Sequence, residues 1–206
     1  MSDIVTYPTP TDLHFSRFIA APLTWVWRAH TEQGQLEHWW GPDGYSISTH
    51  EMDVRPGGRW KFIMHGPGVS ADASAPFGGP PTDFPNLIQY EDVMPEQRLV
   101  WSHGNFDAVL FHVTTTFQTE GDGPRLETTM RRPSQPERDA KAPYAVPGHE
   151  STMRKLEAYL RQPHHELSFT RVLQAPVAQV WAAWTVREQL MPWFCPKPWQ
   201  VTACEI

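Results

Sequence analysis

Cysteine is scarce in this chain of 206 residues, which contains only Cys195 and Cys204. Both lie near the end of the sequence, and they do not form a CxxC pair. The sequence therefore excludes a disulfide-stapled scaffold and a zinc ribbon. Such sparing use of cysteine is typical of a reducing compartment, so we expect a cytoplasmic location.

Positive charge and long apolar runs are also limited. Seventeen Lys and Arg residues stand against 23 Asp and Glu residues, and the formal net charge of −6 argues against nucleic acid and anionic membranes as partners. The most apolar window, 18–27, contains Pro22 and is too short to span a membrane. Because the sequence lacks metal-ligand spacing, a nucleophile elbow and a phosphate-binding loop, we expect neither a metal nor a cofactor.

An internal repeat is the most informative feature of the sequence. Residues 13–52 align without a gap with residues 167–206 at a constant offset of 154, and 14 of the 40 pairs are identical. We interpret this match as a tandem duplication. Arg17 and Arg171 form one of the identical pairs, and their position in a strand pattern predicts a structural salt bridge rather than a catalytic role.

The repeat predicts how the chain is organised. We expect four parts: an N-terminal tail over 1–12, a complete domain over 13–161, a linker over 162–166 and a truncated second repeat over 167–206. The second copy reaches only the strand, helix, helix and strand that open the first copy, so it cannot close a core alone. Two explanations stay open: this is part of a longer two-domain protein, or the second copy docks on the first copy or, in a homodimer, on another chain.

Apolar periodicity predicts the elements of the first copy. Residues 14–20 alternate as a strand, Pro22 opens a helix, and 35–40 form a second short helix. Antiparallel strands follow, interrupted by a segment over 66–85 that is rich in glycine and proline and is expected to be a loop. After Pro133 the pattern becomes helical, and the spacing of 150–160 predicts the apolar face of a closing helix. Strands curled around that helix give an α+β architecture.

The inner face of the predicted sheet, together with the facing side of the closing helix, is rich in large apolar side chains. The residues assigned to it are Trp60, Phe62, Met64, Tyr90, Trp101, His103, Phe111, Met153 and Leu156. These side chains either fill the space between sheet and helix or form the wall of a cavity. Patterning alone leaves both alternatives open.

The one titratable candidate for a catalytic role is His103. It follows Trp101 in strand phase and therefore faces the same side. A histidine there can contact a ligand or move a proton, but a rim histidine with satisfied hydrogen bonds accounts for the same pattern. The sequence identifies no further catalytic residue.

Six short phrases occur in a characteristic order between residues 13 and 160. They are Ala21-Pro22 with Val26-Trp27, Trp39-Trp40-Gly41-Pro42, Asp53-Val54-Arg55-Pro56-Gly57-Gly58-Arg59-Trp60, Met64-His65-Gly66-Pro67, Pro95-Glu96-Gln97-Arg98-Leu99-Val100 and Met153-Arg154-Lys155-Leu156. In these phrases the chain resembles the START-like or helix-grip superfamily, also called SRPBCC. Within it, the chain is similar to bacterial proteins related to the C-terminal domain of the activator of heat-shock protein 90 ATPase.

This resemblance implies a helix-grip fold with a deep hydrophobic cavity between the sheet and the C-terminal helix. It implies that the nine inner-face residues bind a small apolar or aromatic molecule, as such cavities do in the superfamily. Two other functions stay open. One is a polyketide cyclase or dehydratase activity in the same cavity, and the other, less favoured, is a co-chaperone role with heat-shock protein 90.

Overall fold

The structure is a computed structural model that describes residues 4–70, 78–104, 108–162, 171–195, 197, 200–203 and 205. The chain divides into two units, residues 1–164 and 165–206. The elements of the first unit are β1 (Ile4–Thr6), β2 (Asp12–Phe18), α1 (Leu23–Thr31), α2 (Gln33–Trp39), β3 (Ser46–Met52), β4 (Arg59–Pro67), β5 (Pro81–Met94), β6 (Arg98–Gly104), β7 (Val109–Glu120), β8 (Gly123–Arg131) and α3 (Gln135–Leu160).

The strands form one antiparallel sheet in the order β1-β2-β8-β7-β6-β5-β4-β3. The pairing of β2 with β8 brings the start of the unit against its last strand. The register shifts at three places: Thr49/Glu51, Tyr90/Asp92 and His103/Gly104. Bulges of this kind bend a strand and increase its twist, so they curve the sheet.

The long helix α3 completes the helix-grip fold, and the predicted α+β class is confirmed. The helix starts after Ser134, whose hydroxyl accepts a hydrogen bond from the Glu137 backbone N–H at 3.4 Å. It has 26 residues, so the helix predicted over 150–160 is only its last part. Pro143 and Pro147 lie inside it. Because proline lacks an amide hydrogen and normally interrupts helices, these residues concealed the first half of α3 from pattern analysis.

The expected loop over 66–85 is strand at both ends. β4 continues to Pro67 and β5 begins at Pro81. Beyond the two strands, the hairpin is extended by a further backbone hydrogen bond of 2.7 Å. The prediction was wrong for these ends because backbone pairing holds this hairpin, whereas side-chain alternation is weak there. Residues 71–77 of the expected loop lie outside the described residues.

The predicted N-terminal tail over 1–12 also contains a strand. β1 pairs antiparallel with β2, with Val5 opposite Phe15, and forms one edge of the sheet. Asp12 already belongs to β2, where it is buried and lies 2.9 Å from the Arg131 side chain. A strand of three residues is too short for alternation to reveal it, which is why the sequence analysis missed β1.

The hydrophobic core lies between the sheet, helices α1 and α2, and the C-terminal half of α3. Trp39 is fully buried in it, and its indole N–H donates to the carbonyl oxygen of Ala29 at 2.9 Å. A large ring is thus buried without leaving its polar atom unpaired. Met153, Leu156 and Leu160 supply the contribution of α3. The core therefore occupies the end of the sheet that faces the last turns of α3.

Arg17 is a buried cation that connects the sheet to α3. Its Nε lies 2.9 Å from a carboxylate oxygen of Glu157, and its Nη1 lies 3.2 Å from one of Glu150. Both carboxylates belong to α3, so the predicted structural salt bridge is confirmed for Arg17.

The second unit contains α4 (Val177–Thr185) and α5 (Arg187–Leu190). At the offset of 154, α4 begins and ends where α1 does, and α5 begins where α2 does. Residues 163–170, which include much of the predicted linker and first strand, lie outside the described residues. The described residues 171–173 and 200–203 have no regular secondary structure.

Candidate functional site

A cavity of about 400 Å³ lies within the first unit, between the sheet and the middle of α3. Strands β4 to β8 form one wall, residues 141–153 of α3 form another, and Trp40, directly after α2, also lines it. The volume lies within the range of about 300–1,000 Å³ that is usual for small-molecule pockets. The sequence pattern left open whether the side chains between sheet and helix fill a core or line a cavity. The structure contains both: a cavity beside the middle of α3 and a packed core beside its last turns.

Seven of the nine predicted site residues meet in this cavity. They are Trp60, Met64, Tyr90, Trp101, His103, Phe111 and Met153. Four strands and one helix bring them together, as strand alternation and helical spacing predict.

The other two predicted site residues, Phe62 and Leu156, do not line the cavity, and their assignment is corrected here. Both are fully buried in the core. The Phe62 ring stacks on Trp60 at 4.1 Å between centroids, and Leu156 lies almost one helical turn beyond Met153. Alternation identifies the face of an element but not the depth along that face, so it could not separate core from cavity wall.

The middle of α3 contributes cavity residues that sequence analysis missed. They are Lys141, Tyr144, Ala145, Gly148, His149 and Thr152. Their spacing of three and four residues is the pattern of one helix face. The signal was present but was concealed by Pro143 and Pro147.

The last residues of β8 were missed as well. Leu126, Thr128 and Met130 line the cavity at alternate positions, and Arg132 continues the series just beyond the strand. This is ordinary strand alternation. The polar members interrupt the apolar pattern on which the sequence analysis relied.

Tryptophan rings form a rigid part of the wall. The Trp40 ring meets Trp60 in a T-shaped contact at 5.1 Å between centroids, and it lies 6.1 Å from Trp101. Edge-to-face contacts of this kind fix the orientation of the rings. The cavity thus presents preformed aromatic surface to a ligand.

His103 holds a defined tautomer in the cavity wall. The amide nitrogen of Asn86 donates to the carbonyl oxygen of Phe84 at 2.8 Å, which turns the Asn86 oxygen toward His103 at 2.7 Å from Nε2. Nε2 must therefore carry the hydrogen and donate it, which leaves Nδ1 as an acceptor. Burial, assisted by the positive charge of Arg132, lowers the pKa of His103 to about 4. The ring is therefore neutral at physiological pH.

Tyr90 adds a hydroxyl to the same wall. The residue is buried, with 4% of its surface exposed. Burial raises the pKa of its phenol well above the usual value. Tyr90 therefore stays protonated and can donate a hydrogen bond to a ligand.

Arg132 places a cation at the edge of the aromatic wall. Its guanidinium carbon lies 4.1 Å from the centre of the Phe111 ring, and its Nη2 lies 3.5 Å from the sulfur of Met130. Burial lowers the pKa of this arginine. The geometry combines a cation–π contact with a guanidinium group in contact with the cavity.

The described ranges contain neither a cluster of metal-ligating side chains nor a helix able to span a membrane. Within them, no three His, Cys, Asp or Glu side chains converge as a metal site would require. None of the helices described there combines the length and apolar character that a membrane crossing requires. What the cavity offers is apolar surface, neutral hydrogen-bonding groups and a cation.

Comparison with known proteins places the chain in a family. Residues 20–161 match the model of the "Activator of Hsp90 ATPase homolog 1-like protein" family. A protein of Nitrosomonas europaea is 26% identical, with a TM-score of 0.63 over 76% of this chain and 98% of its own. A protein of Mycobacterium smegmatis is 22% identical, with a TM-score of 0.66 over 80% of this chain and 100% of its own. An AHSA1-like protein of Aeromonas hydrophila is 18% identical, with a TM-score of 0.53 over 76% of this chain and 99% of its own. No curated protein matches significantly. Since the family model matches more than half of the chain, the protein belongs to the Activator of Hsp90 ATPase homolog 1-like family.

Proposed function

We propose that the first unit binds a small hydrophobic or aromatic molecule in its cavity, with Tyr90 and His103 orienting the ligand. The observation that carries this proposal is the cavity of about 400 Å³ with preformed aromatic walls. A pocket with mostly apolar walls and few polar groups is the usual form of a small-molecule site. The family's fold is that of a ligand-binding domain in general. We also propose that the protein is cytoplasmic, as expected from its low cysteine content.

A matched pair of substitutions on α3 tests this proposal. Ala145 lines the cavity, whereas Ala158 on the same helix is exposed to solvent. Ala145→Trp places a large ring in the cavity, and Ala158→Trp places the same ring outside it. The probe is the neutral fluorophore N-phenyl-1-naphthylamine, whose emission rises in an apolar site.

We expect Ala145→Trp to weaken probe binding by about 10-fold or more. The indole would displace the naphthalene ring of the probe, which would lose most of its buried apolar contact. Ala158→Trp should bind like the wild type. Circular dichroism and the melting temperature establish that both variants are folded. Equal affinity in the two folded variants would mean that the probe binds elsewhere and would refute the proposal.

An enzyme of the cyclase or dehydratase kind is the second candidate, and His103 Nδ1 is the observation that favours it. This nitrogen has no hydrogen-bond partner in the part of the chain that is described, and it belongs to a residue that lines the cavity. A pKa of about 4 makes it a weak base, however, so it suits ligand orientation better than proton abstraction. The test is turnover of a linear polyketone by wild type and His103→Ala. Loss of turnover with retained probe binding would favour the enzyme.

The co-chaperone role is a third candidate, supported by the family name alone. It is tested with purified heat-shock protein 90, whose ATPase rate should rise when the chain is added. An unchanged rate and no co-elution would remove this candidate.

For the second unit, we propose that it is the start of a second copy of the domain, as the sequence repeat indicates. The equal bounds of α1 and α4 support this proposal. So does a shared detail: the Thr31 hydroxyl donates to the Trp27 carbonyl oxygen at 2.9 Å, and the Thr185 hydroxyl donates to that of Trp181 at 2.8 Å.

The exposed aromatic side chains of this unit favour association, either in a homodimer or by docking on the first unit. Trp181 and Trp184 are 70% and 53% exposed, and apolar surface of this kind commonly marks an interface. Native mass spectrometry of the chain distinguishes the two. A dimer supports the homodimer, whereas a monomer at all concentrations contradicts it and leaves a second unit that docks on the first unit or stays unassociated. The same spectrum reports any ligand carried from the cell as added mass.

A further inference from the structure

Backbone hydrogen bonding fixes the position of Arg132 between β8 and α3. Its N–H donates to the carbonyl oxygen of Thr11 at 3.0 Å, which continues the pairing just beyond β8. Helix α3 begins three residues later. Arg132 also follows Met130 in strand phase, and both residues line the cavity. A short, hydrogen-bonded connection thus holds this guanidinium at the cavity.

Among the described residues, neither Nε nor Nη2 of Arg132 has a strong acceptor. Its Nε is buried and has no hydrogen-bond partner. The groups nearest to its other end are the Phe111 ring and the Met130 sulfur, which are both weak acceptors. In the described part of the chain, no carboxylate lies within ion-pair distance of Arg132. A desolvated cation with unmet donors is costly, and the lowered pKa of Arg132 reflects this desolvation.

Other arginines of the same unit have carboxylate partners. Arg17 pairs with Glu157 at 2.9 Å, and Arg131, the neighbour of Arg132, pairs with Asp12 at 2.9 Å. The contrast between adjacent residues is informative. Arg131 contacts a carboxylate of the protein, whereas Arg132 contacts the cavity and finds none.

The charge of the cavity wall is opposite to that of the chain. The protein has a formal net charge of −6, yet the described residues that line the cavity include Arg132 and Lys141 and neither Asp nor Glu. Glu137, whose charge acts on Arg132, is exposed and does not line the cavity. Two cations in the wall of a largely apolar cavity favour an anionic ligand and disfavour a cationic one.

We propose that the ligand of this cavity is an organic acid, in which an apolar body lies against the aromatic wall and a carboxylate is bound by Arg132. This proposal rests on the proposed binding function and specifies its ligand class. The planar guanidinium fork matches a carboxylate geometrically and forms charge-assisted hydrogen bonds with it. Lys141, which is exposed at the cavity, adds a second positive charge.

Two pairs of compounds test the proposal on the full chain at pH 7.5. Each pair has the same body with and without the carboxylate: 2-naphthoate with 2-naphthamide, and decanoate with decan-1-ol. Their affinities are measured by displacement of N-phenyl-1-naphthylamine, which is neutral. In at least one pair, the acid should bind about 10-fold tighter or more than its neutral analogue. The pair that responds identifies an aromatic or an aliphatic body.

Substitutions assign the effect to Arg132. Arg132→Met keeps the aliphatic length and removes the charge, so it should weaken the acid by about 10-fold or more and leave the neutral analogue unchanged. Arg132→Lys should retain part of the preference, because it keeps the charge without the fork. Arg55→Met is the matched control, since Arg55 lies on an exposed turn and pairs with Asp53.

The outcomes separate this proposal from the proposed function. If N-phenyl-1-naphthylamine itself fails to bind, the cavity is not a binding site and both proposals fail. If the probe binds but acids and neutral analogues displace it equally, or neither displaces it, the preference for acids is refuted and cavity binding stands. Equal acid affinity in folded Arg132→Met and wild type refutes the role of Arg132. The comparison of acid with neutral analogue in the wild type does not depend on any variant folding.

Discussion

Lowering the pH from 7.5 to 5.0 should destabilise the first unit through two histidines in the cavity wall. Burial lowers the pKa of His30 and of His103 to about 4, and the His30 ring donates to the Val26 carbonyl oxygen at 2.7 Å. Both residues are partly exposed and line the cavity. In the unfolded chain both titrate near the ordinary value of 6.5.

The sign follows from proton binding. Between pH 6.5 and pH 4, the unfolded chain binds protons at these positions and the folded chain does not, so acid favours unfolding. The contribution is complete above pH 6.5 and is lost as the pH falls toward 4. At pH 5.0 each histidine lowers the free energy of unfolding by about 2 kcal/mol, or about 4 kcal/mol together. Most carboxylates are still ionised at pH 5.0, so this range isolates the histidines.

Urea unfolding at pH 7.5, 6.5, 5.5 and 5.0 measures the effect. His103→Gln keeps an N–H that can reach the Asn86 oxygen but does not titrate, so its loss over this range should fall to about 2 kcal/mol. Phe111→Leu is the control, because it alters the ring next to His103 without removing a titratable group. It should shift stability equally at every pH. An unfolding free energy of the wild type that stays constant from pH 7.5 to 5.0 would refute the reasoning.

The core and the backbone give further expected outcomes. Leu156→Ala should lower the free energy of unfolding by about 2–5 kcal/mol in urea and leave probe affinity unchanged, since Leu156 is fully buried outside the cavity. A parallel loss of affinity would contradict this. Gly123→Ala should lower the melting temperature, because its Cβ would overlap a backbone carbonyl oxygen. Gly34→Ala places its Cβ in open space in α2 and should stabilise by up to about 1 kcal/mol. A more stable Gly123→Ala than Gly34→Ala would count against this geometry. Arg17→Met should cost about 3–5 kcal/mol because it removes the buried cation that faces Glu150 and Glu157. Adding Glu157→Gln should recover part of that loss, and no recovery would show that charge is not the cause.

The strand faces of this fold are predictable from the sequence for a simple physical reason. Successive side chains of a strand alternate between faces, so one well-placed aromatic residue fixes its neighbours two positions away. Trp101 fixed His103 in this way, and both lie in the cavity wall. The nearby Asn86, which sets the tautomer of His103, was not predicted. It belongs to a different strand, and strand pairing is not written in local alternation.

The part of the cavity wall that α3 forms was harder to predict, because two sequence signals conflict in this helix. Pro143 and Pro147 signal a break, while Tyr144, Gly148 and Thr152 recur at the spacing of one helix face. Tertiary packing decides in favour of the helix, and the cavity lies against the stretch that contains these residues. The sequence analysis assigned helix positions only from residue 150, so it placed Met153 in the cavity wall and missed Tyr144 and Gly148.

The chemistry of the cavity divides affinity from selectivity among different residues. An aromatic body that buries about 250 Å² of apolar surface against rings such as Trp40 and Trp101 gains about 6 kcal/mol before the costs of binding are counted. That gain is the same for an acid and for its amide. His103 and Tyr90 are both neutral at pH 7.5, so they orient a ligand without selecting its charge. Arg132 alone among these groups distinguishes an anion from a neutral molecule. Truncating a tryptophan should therefore weaken 2-naphthoate and 2-naphthamide by the same factor, whereas Arg132→Met should weaken only the acid, and a variant pattern that mixes the two effects would contradict this division.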